Sequence, residues 1–103
     1  MEINQENFEE KVVKSTKPII VDYWAPWCAP CKMMAPVFEK ISQEMKEVTF
    51  AKVNVDENNQ LASDQGILNL PCIVIYNNGE EIERIVGFHN EQQFKAKITQ
   101  ALS

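Results

Sequence analysis

Read from the amino terminus, the pattern of apolar and polar positions changes period several times, and each change marks an element. Phe8 and Val12 lie one helical turn apart in a polar stretch with Asn4 ahead of them as a cap, which predicts a first helix of about ten residues ending near Lys17-Pro18. Ile19 to Trp24 carries apolar side chains on both alternating faces, so it reads as a strand covered on both sides and placed mid-sheet. From Lys32 to Met45 the residues Met34, Val37, Phe38, Ile41 and Met45 recur at helical spacing, and Pro36 inside that run predicts a kink or a local break. Val48 to Val55 is a second strand, and a strand, helix, strand unit of this length implies a right-handed crossover and a parallel pair. A short helix over Asn58 to Gln65 follows. Cys72 to Tyr76 and Glu81 to Val86 then flank Asn77-Asn78-Gly79, a turn signal that joins an antiparallel hairpin. The last segment is an amphipathic helix with Asn90 as cap, Gln93 at the capping-box position, and Phe94, Ile98 and Leu102 recurring every fourth residue. The class is α/β with a mixed sheet.

Composition changes this picture little and the charge narrows it. At 103 residues the chain is the size of one domain and can bury a single core without disulfides, so residues 1–103 are expected to form one unit. Apolar residues make up 45% and charged residues 24%, an ordinary globular balance with no low-complexity segment, repeat or linker. Ten Lys and Arg stand against 15 Asp and Glu, a net charge of -5 with no basic cluster, which argues against nucleic acid or an anionic membrane as a partner. The start, MEINQENFEE, is acidic and polar where a secretory signal is basic and then apolar, and the longest apolar run, Leu70 to Tyr76, falls far short of the roughly 20 residues of a membrane span. A cytoplasmic location is the expectation.

Candidate chemistry concentrates in Trp27-Cys28-Ala29-Pro30-Cys31. Two thiols three residues apart could be half of a metal clamp, a structural staple, or a pair that opens and closes in use. Zinc wants four ligands, and the remaining candidates, Cys72 and the single histidine His89, lack a second clamp spacing. Three cysteines are too few for a disulfide framework, and a reducing compartment disfavours a permanent staple. The redox reading has a positive argument: Cys28 leaves a central strand and enters a helix, where free backbone N–H groups and the helix dipole favour a thiolate. Pro30 costs nothing in a first helical turn. Cys31, one turn later, is placed inward with its sulfur against that of Cys28. The spacing therefore assigns Cys28 as the exposed nucleophile that attacks a disulfide and Cys31 as the thiol that resolves the mixed disulfide.

Asp22 is the second oddity, an acid between Val21 and Tyr23 in a strand read as buried. It either reaches solvent at a strand end, or it is a buried carboxyl with a raised pKa that accepts the proton Cys31 must lose.

The run VDYWAPWCAPCKMMAP, followed by KVNVDEN, LPC and NNGEEIERIVGF, resembles the thioredoxin family in order and spacing along essentially the whole chain. The resemblance implies a thioredoxin fold, a central five-stranded mixed β-sheet flanked by four α-helices, and activity as a protein-disulfide reductase. It implies that electrons come from a flavoprotein thioredoxin reductase, that the clients are oxidised proteins such as reductases and peroxidases, that the chain works as a monomer, and that no bound cofactor or metal is needed. It also implies that Pro71 is cis beside the thiols, that Lys52 lies near Asp22 and tunes it, and that Trp27, Leu70, Val86, Gly87 and Phe88 form an apolar rim for clients. Ala29 and Pro30, between the thiols, belong to the same docking surface.

Three positions depart from the family pattern: Ala29 stands where Gly is usual, Asn69 replaces a small residue two before Pro71, and Cys72 replaces the usual Thr after it. No His separates the two cysteines, the choice that marks oxidising and isomerising relatives. Those relatives remain the alternative within the fold; a redox-independent docking module is the alternative outside it.

Overall fold

A computed structural model describes all residues, 1–103. After an amino-terminal helical turn the chain runs β1 (Ile19–Trp24), α1 (Ala29–Glu44), β2 (Thr49–Asn54), α2 (Asn59–Asp64), β3 (Cys72–Asn77), β4 (Glu80–Val86) and α3 (Glu91–Leu102). The sheet order is β2-β1-β3-β4, with β1 parallel to β2 and antiparallel to β3, and β3 antiparallel to β4. The crossover through α1 therefore gives the parallel pair, and the Asn77–Gly79 hairpin gives the antiparallel one. Asn78 and Gly79 both have positive φ, 55° and 80°, the two-residue turn whose twist matches its flanking strands.

The sheet has four strands where the resemblance implied five. The amino terminus reaches β2 and forms only one parallel bridge, Glu2 to Lys52, with the Ile3 N–H donating to the Lys52 carbonyl at 2.8 Å and the Lys52 N–H to Met1 at 2.9 Å. The pairing stops because the Asn4 side chain accepts from the N–H groups of Glu6 and Asn7, both at 2.9 Å, and turns the chain out of the sheet. Asn4 thus caps a turn as its position suggested. The element it opens becomes a π-helix over Glu9–Val13, closed by the Lys14 N–H on the Glu9 carbonyl at 2.9 Å, with Phe8 and Val12 both buried.

Apolar residues pack on both faces of the sheet. Val21, Tyr23, Ala51, Val53, Cys72 and Val74 meet Phe8, Val12 and Leu61 on one face, whereas Ile20, Ile73, Ile75 and Ile85 meet Met34, Phe38, Ile41, Phe94 and Ile98 on the other. Strand alternation fixes which side chain goes where, so Asp22, Trp24 and Lys52 share the face covered by α1 and α3. The helix α1 begins at Ala29, earlier than the apolar periodicity indicated, because Cys28 is its cap and Pro30 suits its first turn. Pro36 does not break it. The Lys32 carbonyl, which loses its partner to the missing Pro36 N–H, belongs to an exposed residue and can be hydrated.

The capping box opening α3 is complete: the Gln93 N–H donates to Asn90 Oδ1 at 2.8 Å and the Asn90 N–H to Gln93 Oε1 at 3.2 Å. Asn90→Ala is expected to lower stability by about 1 kcal/mol, read as a shift in denaturation midpoint at unchanged slope.

Candidate active site

The site grows from the carboxyl end of β1. Beyond Trp24 the chain turns at Pro26-Trp27 and enters α1, with Cys28 as cap in an extended conformation and its sulfur accepting the Cys31 N–H at 3.2 Å. Cys28 and Cys31 are joined by a disulfide, their Cα atoms 5.2 Å apart. As residues the two are equally covered, each 4% exposed, so the expectation of an exposed Cys28 and an inward Cys31 is not met by accessibility. The geometry differs in another way: Cys28 lines an open groove of about 680 Å³, and Cys31 does not. Both cysteines belong to one small apolar cluster with Ala25, against which Trp24, Val55 and Leu70 pack.

The groove gathers part of the expected rim. Trp27, Ala29, Pro30 and Leu70 line it with Cys28, and Trp27 is 69% exposed, its indole N–H held by Asp56 Oδ1 at 3.1 Å. The far wall, which the sequence did not disclose, consists of Val55, Asn59, Ala62 and Ser63 and the segment Gly66 to Asn69. Leu68 is 90% exposed. Nothing in the sequence distinguishes Leu68 from its neighbours Ile67 and Leu70; only the fold turns it to solvent. Ala29 occupies the first helical position, so its methyl sits on helical backbone, as Pro30 after it suggested.

The remaining rim residues lie outside this groove. Val86 and Phe88 are exposed and Gly87 is half-buried, and this strip is tied to Pro71 by the Gly87 N–H on the Pro71 carbonyl at 2.9 Å and by the pairing of Val86 with Cys72. The Leu70–Pro71 peptide is cis. Cys72, after it, is a buried free thiol whose pKa burial pushes up, so it is shielded from exchange.

Asp22 is 1% exposed, and its Oδ1 has no hydrogen-bond partner. Burial pushes its pKa up to about 6, offset in part by the positive charge of Lys52, its register partner on β2. The strand-end alternative for Asp22 is thereby excluded. The Lys52 ammonium makes no ion pair with it; Nζ lies 5.7 Å from the centre of the Trp24 ring and 5.8 Å from that of Phe38. His89, the only histidine, places Nδ1 3.1 Å from the Gly87 carbonyl, away from the sulfurs in sequence and element. No cluster of three or more His, Cys, Asp or Glu side chains that could hold a metal is assembled, and no helix is long and apolar enough to cross a membrane.

A disulfide capping a helix that follows a central parallel strand carrying a buried acid, beside a largely apolar groove, defines a thiol–disulfide oxidoreductase whose redox group is its own cysteine pair. Comparison with known proteins agrees. A family model described as Thioredoxin matches residues 1–100. The chain is 36% identical over 103 residues to the thioredoxin of Alicyclobacillus acidocaldarius, covering 99% of this chain and 97% of that one. It is 41% identical over 86 residues to thioredoxin 1 of Synechococcus elongatus, covering 82% and 80%. It is also 40% identical over 88 residues to the bifunctional thioredoxin reductase/thioredoxin of Mycobacterium leprae, covering 84% of this chain and 19% of that larger protein. The chain belongs to the thioredoxin family.

Proposed function

We propose that this chain works as a general protein-disulfide reductase, a single-domain cytoplasmic monomer that takes electrons from a thioredoxin reductase and passes them to oxidised client proteins. The observation that carries this reading is the Cys28–Cys31 disulfide at the amino end of α1, opening onto a groove with no charged side chain. In the reduced protein the Cys28 thiolate, favoured by the free N–H groups of the helix, attacks one sulfur of a client disulfide. A Cys28–client bond forms, and the client's other sulfur leaves as a thiolate. Cys31 gives its proton to the Asp22 carboxylate, whose basicity burial raises and Lys52 moderates, and then attacks the Cys28 sulfur. The intramolecular disulfide closes and the second client thiolate departs, so the client gains two electrons and the protein loses two. Trp27, Ala29, Pro30, Leu70, Pro71, Val86, Gly87 and Phe88 form the surface on which the client backbone rests.

A reductase in the Mycobacterium leprae fusion supports the choice of electron donor, since there the two activities share one chain. Equilibration with glutathione redox buffers tests the direction of flow. The expected potential is on the reducing side of the glutathione pool, where thioredoxins themselves lie at about -270 mV, and a value near the roughly -120 mV of a dedicated oxidant would overturn the reading.

A further inference from the structure

The Gly66 to Leu70 segment of the far wall packs Ile67 and Leu70 against the core and is hydrogen-bonded only towards its two ends. At the first of these the Ile67 N–H donates to the Ala62 carbonyl at 2.9 Å, and an arginine of β4 reaches the wall's backbone from outside the groove. Leu68, Asn69 and Leu70 make no hydrogen bond of their own, through backbone or side chain. Downstream the segment is fixed at Pro71, whose carbonyl accepts the Gly87 N–H. Upstream it is fixed where α2 ends. There Gly66, at φ +67°, reverses the chain, and Arg84 reaches across from β4. Its Nη2 donates to the Gln65 carbonyl at 2.7 Å and its Nη1 to the Gly66 carbonyl at 2.9 Å. The same guanidinium is aimed by Glu81, which accepts from Nε at 2.8 Å and from Nη2 at 2.7 Å. A second tie, Tyr76 Oη donating to Gln65 Oε1 at 2.9 Å, holds the side chain of the same residue but no backbone.

We propose that Arg84, aimed by Glu81, is a positioning residue for client binding: it sets the path of Gly66 to Leu70 and so the width of the groove beside Cys28. The inference rests on the reading of the chain as a protein-disulfide reductase. It also fixes the chemistry of the client segment. With no charged side chain in the groove, and with Leu68 and Trp27 presenting apolar surface, the segment flanking the client cysteine is uncharged and apolar. Lysine cannot replace the arginine in full, because one ammonium cannot span two successive carbonyls while facing a carboxylate in the planar fork geometry.

The test is single-turnover oxidation of the pre-reduced protein by insulin and, in parallel, by 5,5′-dithiobis(2-nitrobenzoate), a disulfide too small to need the far wall, with thiols counted after acid quench and alkylation. Arg84→Met keeps the alkyl stem and removes every donor. It is expected to raise the half-saturating insulin concentration roughly fivefold while the limiting rate, the small-disulfide rate and the reduction potential stay within about twofold of the wild type. Arg84→Lys should recover part of the loss, and Glu81→Gln should reproduce it in smaller measure. Half-saturation unchanged in any folded variant of the pair, or a small-disulfide rate that falls in parallel, overturns the proposal, and Glu81→Gln decides it if Arg84→Met does not fold. Wild-type protein that leaves insulin oxidised overturns the functional reading and this inference with it; wild type that reduces insulin beside unaltered variants overturns this inference alone.

Discussion

Replacing Cys31 with Ser is expected to abolish turnover and to leave the protein covalently joined to its clients through Cys28, whereas replacing Cys28 with Ser abolishes both turnover and capture. Accessibility does not predict this, since both residues are 4% exposed. The argument is one of placement. Cys28 caps α1, receives the Cys31 N–H at 3.2 Å and forms part of the groove wall, so its thiolate is stabilised and a client sulfur can reach it. Cys31 is buried and takes no part in the groove wall, so it is expected to reach only a sulfur that is already attached to Cys28. The buried Cys72 cannot substitute for either, because no client reaches it. Captured adducts released by dithiothreitol on a gel, together with the order of alkylation of the reduced wild type at neutral pH, check the assignment. Alkylation of Cys31 ahead of Cys28 would reverse the two roles.

What made this site legible in the sequence is that its chemistry is local. The pair of cysteines, the proline between them and the acid in an apolar strand lie within ten residues of each other, and helix and strand periodicities place them without knowledge of the rest. The amphipathic helices and the Asn-Gly turn were legible for the same reason. The far wall of the groove was not. Val55 comes from the turn after β2, Asn59 and Ser63 from α2, and Leu68 from a loop whose exposure is decided only when the sheet and α2 are in place. Arg84 is further still from view, since its partners Gln65 and Gly66 are joined to it only by tertiary structure and its bonds go to carbonyls, which every residue possesses. The missing fifth strand has a local cause that periodicity does not weigh. Asn4 competes for backbone donors as soon as Ile3 has paired, and a side chain two residues away wins over a strand that would run along the sheet edge.

Asp22→Asn is expected to stabilise the protein at neutral pH and to slow its chemistry, the signature of a group kept for function at a cost in stability. A pKa raised from 3.8 in the unfolded chain to about 6 in the fold means that between these values the native state binds more protons than the unfolded one. Stability therefore falls as pH rises through that window, by about 3 kcal/mol once both states are ionised. Asn removes the ionisation but brings two N–H donors to a place where Oδ1 is already without a partner, a cost of about 1–2 kcal/mol at every pH. A net gain of roughly 1–2 kcal/mol is therefore expected above pH 7, and a net loss of about the same size well below pH 4. A gain that stays constant across this range would show that burial of the charge is not its source. The kinetic half has the same midpoint. Only the carboxylate can accept the Cys31 proton, so resolution of a preformed Cys28 mixed disulfide should slow in the wild type as pH falls through about 6, and the Asn variant should be slow throughout and lack that inflection. Lys52→Met removes the charge that lowers the pKa, and should carry the inflection to higher pH. An inflection that stays in place in both variants would remove Asp22 from the proton path.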